Sequence, residues 1–182
     1  MLVKLAQAYD FAARAHTNQR RLGADAKPYI NHVVDVAHWV AKAAPQNPDY
    51  VITALLHDVL EDTEIGAADL AVIFGSQIVA WVGEVTDDMT KDKAWIKAEQ
   101  IRTAPMLSEC ATLVRVADKI SNLTDIITSP PVGWPVERHK TYYMWCAQVV
   151  QACPQVPHIL QTAFAEKYTA GRAWHDLPDL GF

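Results

Sequence analysis

The sequence predicts an all-α fold, a helical bundle of about eight to ten helices in one domain over residues 1–182, and three observations carry that expectation. Apolar side chains recur at i, i+3, i+4 and i+7 in several segments, the spacing of one buried helix face. Clusters of Pro and Gly interrupt the pattern as turns, and no section is rich in strand signals. At 182 residues and 51% hydrophobic, the chain is long enough for one well-buried domain, and nothing calls for a second.

In chain order, helices are expected at about 2–17, 32–43, 48–62, 66–74, 76–87, 92–103, 108–128, 135–153 and 156–172. After the first, Thr17 to Lys27 is the longest early loop, and its Arg20-Arg21-Leu22-Gly23 makes it a candidate mobile flap, with a plain connector as the alternative. The second helix opens at Pro28-Tyr29-Ile30-Asn31-His32 and runs on Val33, Val36, Ala37 and Val40. Pro45-Gln46-Asn47-Pro48 turns the chain into the third, where Ile52, Leu55, Leu56 and Val59 form an apolar face. At roughly 100° per residue, His57, Asp58, Glu61 and Asp62 fall on the opposite side. The helix at 108–128 turns Leu113, Val116, Ala117, Ile120 and Leu123 inward and carries a polar stripe of Asp118, Ser121, Asn122 and Asp125. Ser129 to Trp134 is the turn before the helix at 135–153. Trp39, Trp81, Trp95, Trp134, Trp145 and Trp174 are expected in the core or in helix packing, with Tyr142 and Tyr143 set apart as candidate ligand contacts.

Charge is concentrated where burial makes it expensive. An imidazole and three carboxylates share the six positions from His57 to Asp62, beside Leu55, Leu56, Val59 and Leu60. A solvated acidic face on a surface helix would be the ordinary explanation. His32 at the opening of another helix and Asp118 in mid-helix, where Asp is a poor former with no cap to make, weigh against it. His32, His57, Asp58 and Asp118 are a coherent ligand set: two carboxylates neutralise a divalent ion and two neutral imidazoles add affinity. Mixed N/O donors without thiolate suit Mn²⁺, Fe²⁺, Co²⁺ or Mg²⁺ rather than a closed tetrahedral zinc site. Glu61 and Asp62, one turn on, are placed to orient or deprotonate a water and to protonate a leaving group.

Composition narrows the partners. With 16 basic and 21 acidic residues the chain has a net charge of −5, and no basic stripe points to nucleic acid. A phosphate-rich ligand would need a local cluster such as Arg20, Arg21, Lys97, Lys119 and Arg138, with Lys119 expected to point away from its neighbour Asp118. No apolar run is long enough to span a membrane, and Met1-Leu2-Val3-Lys4 lacks a signal-peptide layout. Cys110, Cys146 and Cys153 are an odd number without metal-site spacing, so a reduced cytoplasmic setting is expected.

The ordered motifs resemble a known family. His32, His57-Asp58 and Asp118 on a helical scaffold look like the HD superfamily of metal-dependent phosphohydrolases. Phe11-Ala12-Ala13-Arg14-Ala15-His16, Gln19-Arg20-Arg21, Pro28 to His32, Leu55 to Thr63 and Val116 to Leu123 resemble the hydrolase domain of RelA/SpoT-type alarmone enzymes. The match is nearest to the stand-alone, Mesh1-like small alarmone hydrolases; Phe74-Gly75, Val85-Thr86-Asp87-Asp88 and Trp145 to Val150 extend it over roughly 2–152. The resemblance implies an HD-domain bundle that removes the 3′-pyrophosphate of ppGpp or pppGpp, usually with Mn²⁺. It implies His32, His57, Asp58 and Asp118 as metal ligands and Glu61 and Asp62 as the acidic pair handling the water. It further implies Arg21, Asn122 and Tyr142 as substrate contacts, and more loosely Lys97 and Arg138 near phosphates. Leu22 stands where the family usually has Lys, and Arg20 is a candidate replacement. That departure keeps a phosphatase acting on NADPH or another nucleotide ester open as an alternative, with a non-catalytic nucleotide-binding module more distant.

Overall fold

The computed structural model describes residues 2–181; Met1 and Phe182, the ends of the predicted 1–182 domain, lie outside the described residues. Among them the chain forms α1 (Leu2–Ala15), α2 (Ile30–Ala43), α3 (Pro48–Leu56), α4 (Val59–Asp62), α5 (Ala67–Phe74), α6 (Ser76–Val85), α7 (Lys93–Thr103), α8 (Glu109–Thr128), α9 (Val136–Ala152) and α10 (His158–His175), with a 3₁₀ turn at Ala104–Met106. Each begins where local chemistry permits. Pro48 sits in the first turn of α3, where its missing N–H costs nothing. The Asp92 carboxylate accepts from the Ala94 and Trp95 amides at the head of α7, and the Ser108 hydroxyl accepts from Ala111 at the head of α8.

Helix α8 is the axis. Leu113, Val114, Val116, Ala117, Ile120 and Leu123 are all buried, so it is apolar on nearly every side, as a helix surrounded by others must be. Helices α2, α3, α6, α9 and α10 pack around it, and α1 lies against α2 and α3. Helix α10, a segment without recognisable motifs, buries Leu160, Ala163, Phe164 and Tyr168 against this core, about 1.5–3 kcal/mol for each large apolar side chain. At Gly171 it comes so close to Tyr143 that a Cβ would collide with the ring. Tyr143 is thus a core residue rather than a ligand contact.

Two expectations need correction. The predicted helix 48–62 is broken at His57-Asp58 into α3 and α4, without Pro or Gly. The His57 ring nitrogen Nδ1 lies 2.7 Å from the Ala54 carbonyl, the acceptor that the Asp58 amide would use in a continuous helix, and Asp58 relaxes to ψ −3. His57 itself is buried at 5% exposure, its ring against that of His32 on α2. The loop from Thr17 to Lys27 is not a loose flap. Its stem is closed by the Arg21 amide on the Lys27 carbonyl (2.9 Å) and the Tyr29 amide on the Gln19 carbonyl (3.0 Å), and its tip by the Val132 amide on the Leu22 carbonyl (3.1 Å).

At that tip a Cβ on Gly23 would collide with the Ser129 carbonyl oxygen and hydroxyl. Gly23→Ala is therefore expected to lose about 1–3 kcal/mol of stability, read as a fall in melting temperature, and to detach the loop from the 129–132 turn. An unchanged melting temperature would show that the loop is free to move.

Candidate metal centre and active-site groove

Three elements bring the predicted ligands together. His32 stands in the first turn of α2, His57 and Asp58 at the α3–α4 break, and Asp118 in the middle of α8. His32 Nε2 is 3.3 Å from Asp118 Oδ1 and 3.6 Å from Asp58 Oδ2, and His57 Nε2 is 3.0 Å from Asp58 Oδ2. One donor atom each from His32, His57 and Asp118 lie within 4.8 Å of one another. The outer contacts set the aim. The Ala54 carbonyl can only accept, so His57 Nδ1 carries the hydrogen and Nε2 presents a lone pair inward. Nε2 is buried without a hydrogen-bond partner. The Ser121 hydroxyl holds His32 Nδ1 at 3.0 Å, and the Tyr29 hydroxyl donates to Asp58 Oδ2 at 2.8 Å.

A nitrogen lone pair facing carboxylate oxygens at these distances is repulsive unless a positive charge lies between them. This fits a divalent cation. A proton meets the same need: burial disfavours charge on His57, but Asp58 and Asp118 outweigh it and raise the ring to about 9. Burial likewise opposes ionisation of the two carboxylates, yet His57 and His32 hold Asp58, and Lys119 and His32 hold Asp118, well below the ordinary range.

Two spaces meet here. The cluster itself lines a chamber of about 170 Å³, together with Glu61, Asp87, Gln100, Arg115, Lys119 and Trp145. Outward is a groove of about 940 Å³, lined by Arg20, Arg21, Asp62, Lys93, Lys97, Trp134 and Arg138. Tyr29, Asn122 and Tyr142 line both. The acidic pair is thereby divided. Glu61 accepts the Asp87 amide at 3.0 Å on the chamber side, and burial, then Asp87, Asp58 and Asp62, push it up to about 7. Asp62 is on the groove side and solvent-exposed, yet crowding by neighbouring atoms and the charge of Asp58 raise its carboxyl. The Gln19 amide on the Asp62 carbonyl, 2.7 Å, pins this end of α4 to the loop.

The candidate substrate contacts are also gathered here. Arg21 is tied to Asp125 at 2.7 Å and to the Asn122 side-chain oxygen, while Asn122 donates to Asp118 at 2.7 Å. Arg20 is spent on the Thr17 and Gln19 carbonyls, so it stiffens the loop while facing the groove. Among the described residues Lys97 and Arg138 form no ion pair: Lys97 faces the Tyr142 and Trp145 rings, and Arg138 lies 4.1 Å over Trp134. Trp39, Trp81, Trp134 and Trp145 pack against the core as expected, Trp134 and Trp145 also serving as site walls, whereas Trp95 and Trp174 are exposed, contrary to the core or helix-packing placement expected of them.

Lys119 overturns another expectation. It folds back on its four-carbon stem to reach Asp118 Oδ2 at 3.0 Å, because a 2% exposed ammonium must find a counter-charge. Tyr29 and Ser121 were visible in the sequence, one inside the Pro28–His32 motif and the other on the polar stripe of α8. Gln100 and Arg115 had no local signal and enter only through the packing of α7 and α8.

The HD domain model matches residues 8–141. The chain is 39% identical over 166 residues to guanosine-3′,5′-bis(diphosphate) 3′-pyrophosphohydrolase MESH1 of Mus musculus, covering 91% of this chain and 93% of that one. To the Homo sapiens MESH1 it is 42% identical over 149 residues, 81% and 83% of the two chains. A solved structure of a metazoan orthologue of SpoT, described as hydrolysing ppGpp, superposes with a TM-score of 0.87 at 34% identity, over 91% of this chain and 94% of that one.

Proposed function

The chain belongs to the HD-domain family, and from that premise we propose that it is a metal-dependent 3′-pyrophosphohydrolase of ppGpp and pppGpp, releasing GDP or GTP and pyrophosphate. One observation carries the reading: His32, His57 and Asp118 converge, with Asp58 3.0 Å from His57, where a basic nucleotide-sized groove meets a small polar chamber. His32, His57, Asp58 and Asp118 would hold the ion, with Mn²⁺ first and Fe²⁺, Co²⁺ or Mg²⁺ compatible with the same donors. Once bound, that ion supplies charge neutralisation and Lewis-acid polarisation of the phosphate. The three cysteines are free and buried, in keeping with a reducing, cytoplasmic setting. No helix among the described residues is long and apolar enough to cross a membrane.

The chain's own groups divide the work. Arg21, Asn122 and Tyr142, with Arg20 beside them, orient the nucleoside, and Lys97 and Arg138 face its 5′ phosphates. Glu61, on the chamber side, takes the proton of the attacking water. The water oxygen bonds to the phosphorus attached to the ribose, the P–O3′ bond breaks, and Asp62 on the groove side returns a proton to O3′. Incubation with Mn²⁺ and either ppGpp or NADPH, with phosphorus NMR of the products, tests the reading. Pyrophosphate from ppGpp is the expected result. Orthophosphate from NADPH with no cleavage of ppGpp would move the assignment to a nucleotide phosphatase, the shift that Leu22 in the groove wall leaves room for. Tight ppGpp binding without turnover at any divalent metal would make the chain a non-catalytic binding module.

A further inference from the structure

We propose that the inner chamber is a receptor for the terminal phosphate of the scissile diphosphate, with Lys119 as its specificity-determining contact; the proposal rests on the phosphohydrolase reading above. Size comes first. Ligand pockets that enclose a drug-sized molecule begin at roughly 300 Å³, so the outer groove of about 940 Å³ can take a nucleoside while the chamber of about 170 Å³ cannot. The His32–His57–Asp118 cluster lines the chamber together with Lys119, so a diphosphate whose first phosphorus is at that cluster has its second phosphate within the same chamber.

Charge comes next. Lys119 is 2% exposed and held with its Nζ 4.1 Å over the Trp145 ring. Among the described residues its one hydrogen-bond acceptor is Asp118 Oδ2, so two of its three N–H groups remain for a ligand. Of the four acids that line the chamber, Asp58 and Asp118 belong to the cluster and the other two are engaged. Asp87 accepts from Gln100 Nε2 at 2.6 Å and lies 3.8 Å from Arg115, and Glu61 accepts from the Asp87 amide. Gln100 Oε1 is buried without a partner, an acceptor that a water or a protonated phosphate oxygen would satisfy. Trp145 ties the two spaces together: Lys97 faces the same indole at 4.9 Å from the groove side, and the indole N–H donates to the Lys97 carbonyl at 3.2 Å. Two ammonium groups on one ring repel each other, and an anion reaching both spaces relieves that repulsion.

A monophosphate ester would fill the cluster and leave Lys119 unused, so the chamber should separate diphosphates from monophosphates. The test is calorimetric titration of the Mn²⁺-loaded protein with inorganic pyrophosphate and with orthophosphate, free Mn²⁺ being buffered at one level. The parent is expected to favour pyrophosphate by about tenfold or more, the worth of one charge-assisted contact, and Lys119→Met to bring the two affinities together. If Lys119→Met does not fold, Trp145→Phe, which weakens the seat of the ammonium, should shrink the preference in the same direction. A parent without preference, or a variant that keeps it in full, overturns the assignment. Failure of ppGpp turnover alone would sink the hydrolase reading while leaving a Lys119-dependent pyrophosphate preference intact, so the two fail separately.

Discussion

Asp58→Ala is expected to reduce hydrolysis by about 10³-fold or more, because several kcal/mol of transition-state charge stabilisation would depend on the ion that this carboxylate is proposed to hold. The structure makes the loss wider than one ligand. Asp58 Oδ2 is 3.0 Å from His57 Nε2, 3.6 Å from His32 Nε2 and 2.8 Å from the Tyr29 hydroxyl, so its removal strips both imidazoles and a phenol of their shared anion. Metal content per chain, measured on the purified variant, should fall with the activity. Tyr29→Phe, which keeps the carboxylate and loses only its hydrogen bond, should retain the metal more weakly, by about 10–100-fold. An Asp58→Ala protein that held its ion and turned over normally would remove the ligand quartet from the argument.

The second large effect separates metal from chemistry. Glu61→Gln and Asp62→Asn should bind the ion as the parent does yet lose about 10²–10⁴ in kcat, the usual share of a positioned acid or base. Glu61 adds a pH signature. Its ordinary value is 4.5 and the folded protein raises it to about 7, so as a base it becomes competent as pH rises through that point. The parent rate should climb there, and Glu61→Gln should lose the climb. Stability has the opposite sign. The folded state keeps a proton that the unfolded chain releases near 4.5, so this contribution is complete below that pH and is lost as pH rises through about 7. A parental rate in the Asp62 variant would exclude it from proton return to O3′.

Most of the helical architecture could be read locally, because each helix announces itself within a dozen residues. Val33, Val36, Ala37 and Val40 specify a buried stripe wherever the helix ends up, and all four are fully buried. The α3–α4 break could not be read that way, since it depends on an imidazole competing for the Ala54 carbonyl. The loop at 17–27 was equally opaque. Its anchoring uses the Leu22–Val132 backbone pair, more than a hundred positions apart, and backbone amides carry no sequence signature.

By itself the sequence determined the inventory: which side chains could bind a cation, which could move a proton, and which helices would carry them. Residue chemistry and short-range periodicity are properties of the chain, present before it folds. Only the tertiary structure decided that Glu61 faces a chamber and Asp62 a groove, that Lys119 turns back onto Asp118, and that Trp145 stands between two lysines. Those facts follow from how α4, α7, α8 and α9 cross, because a long side chain takes its direction from the counter-charge and the ring that packing brings to it.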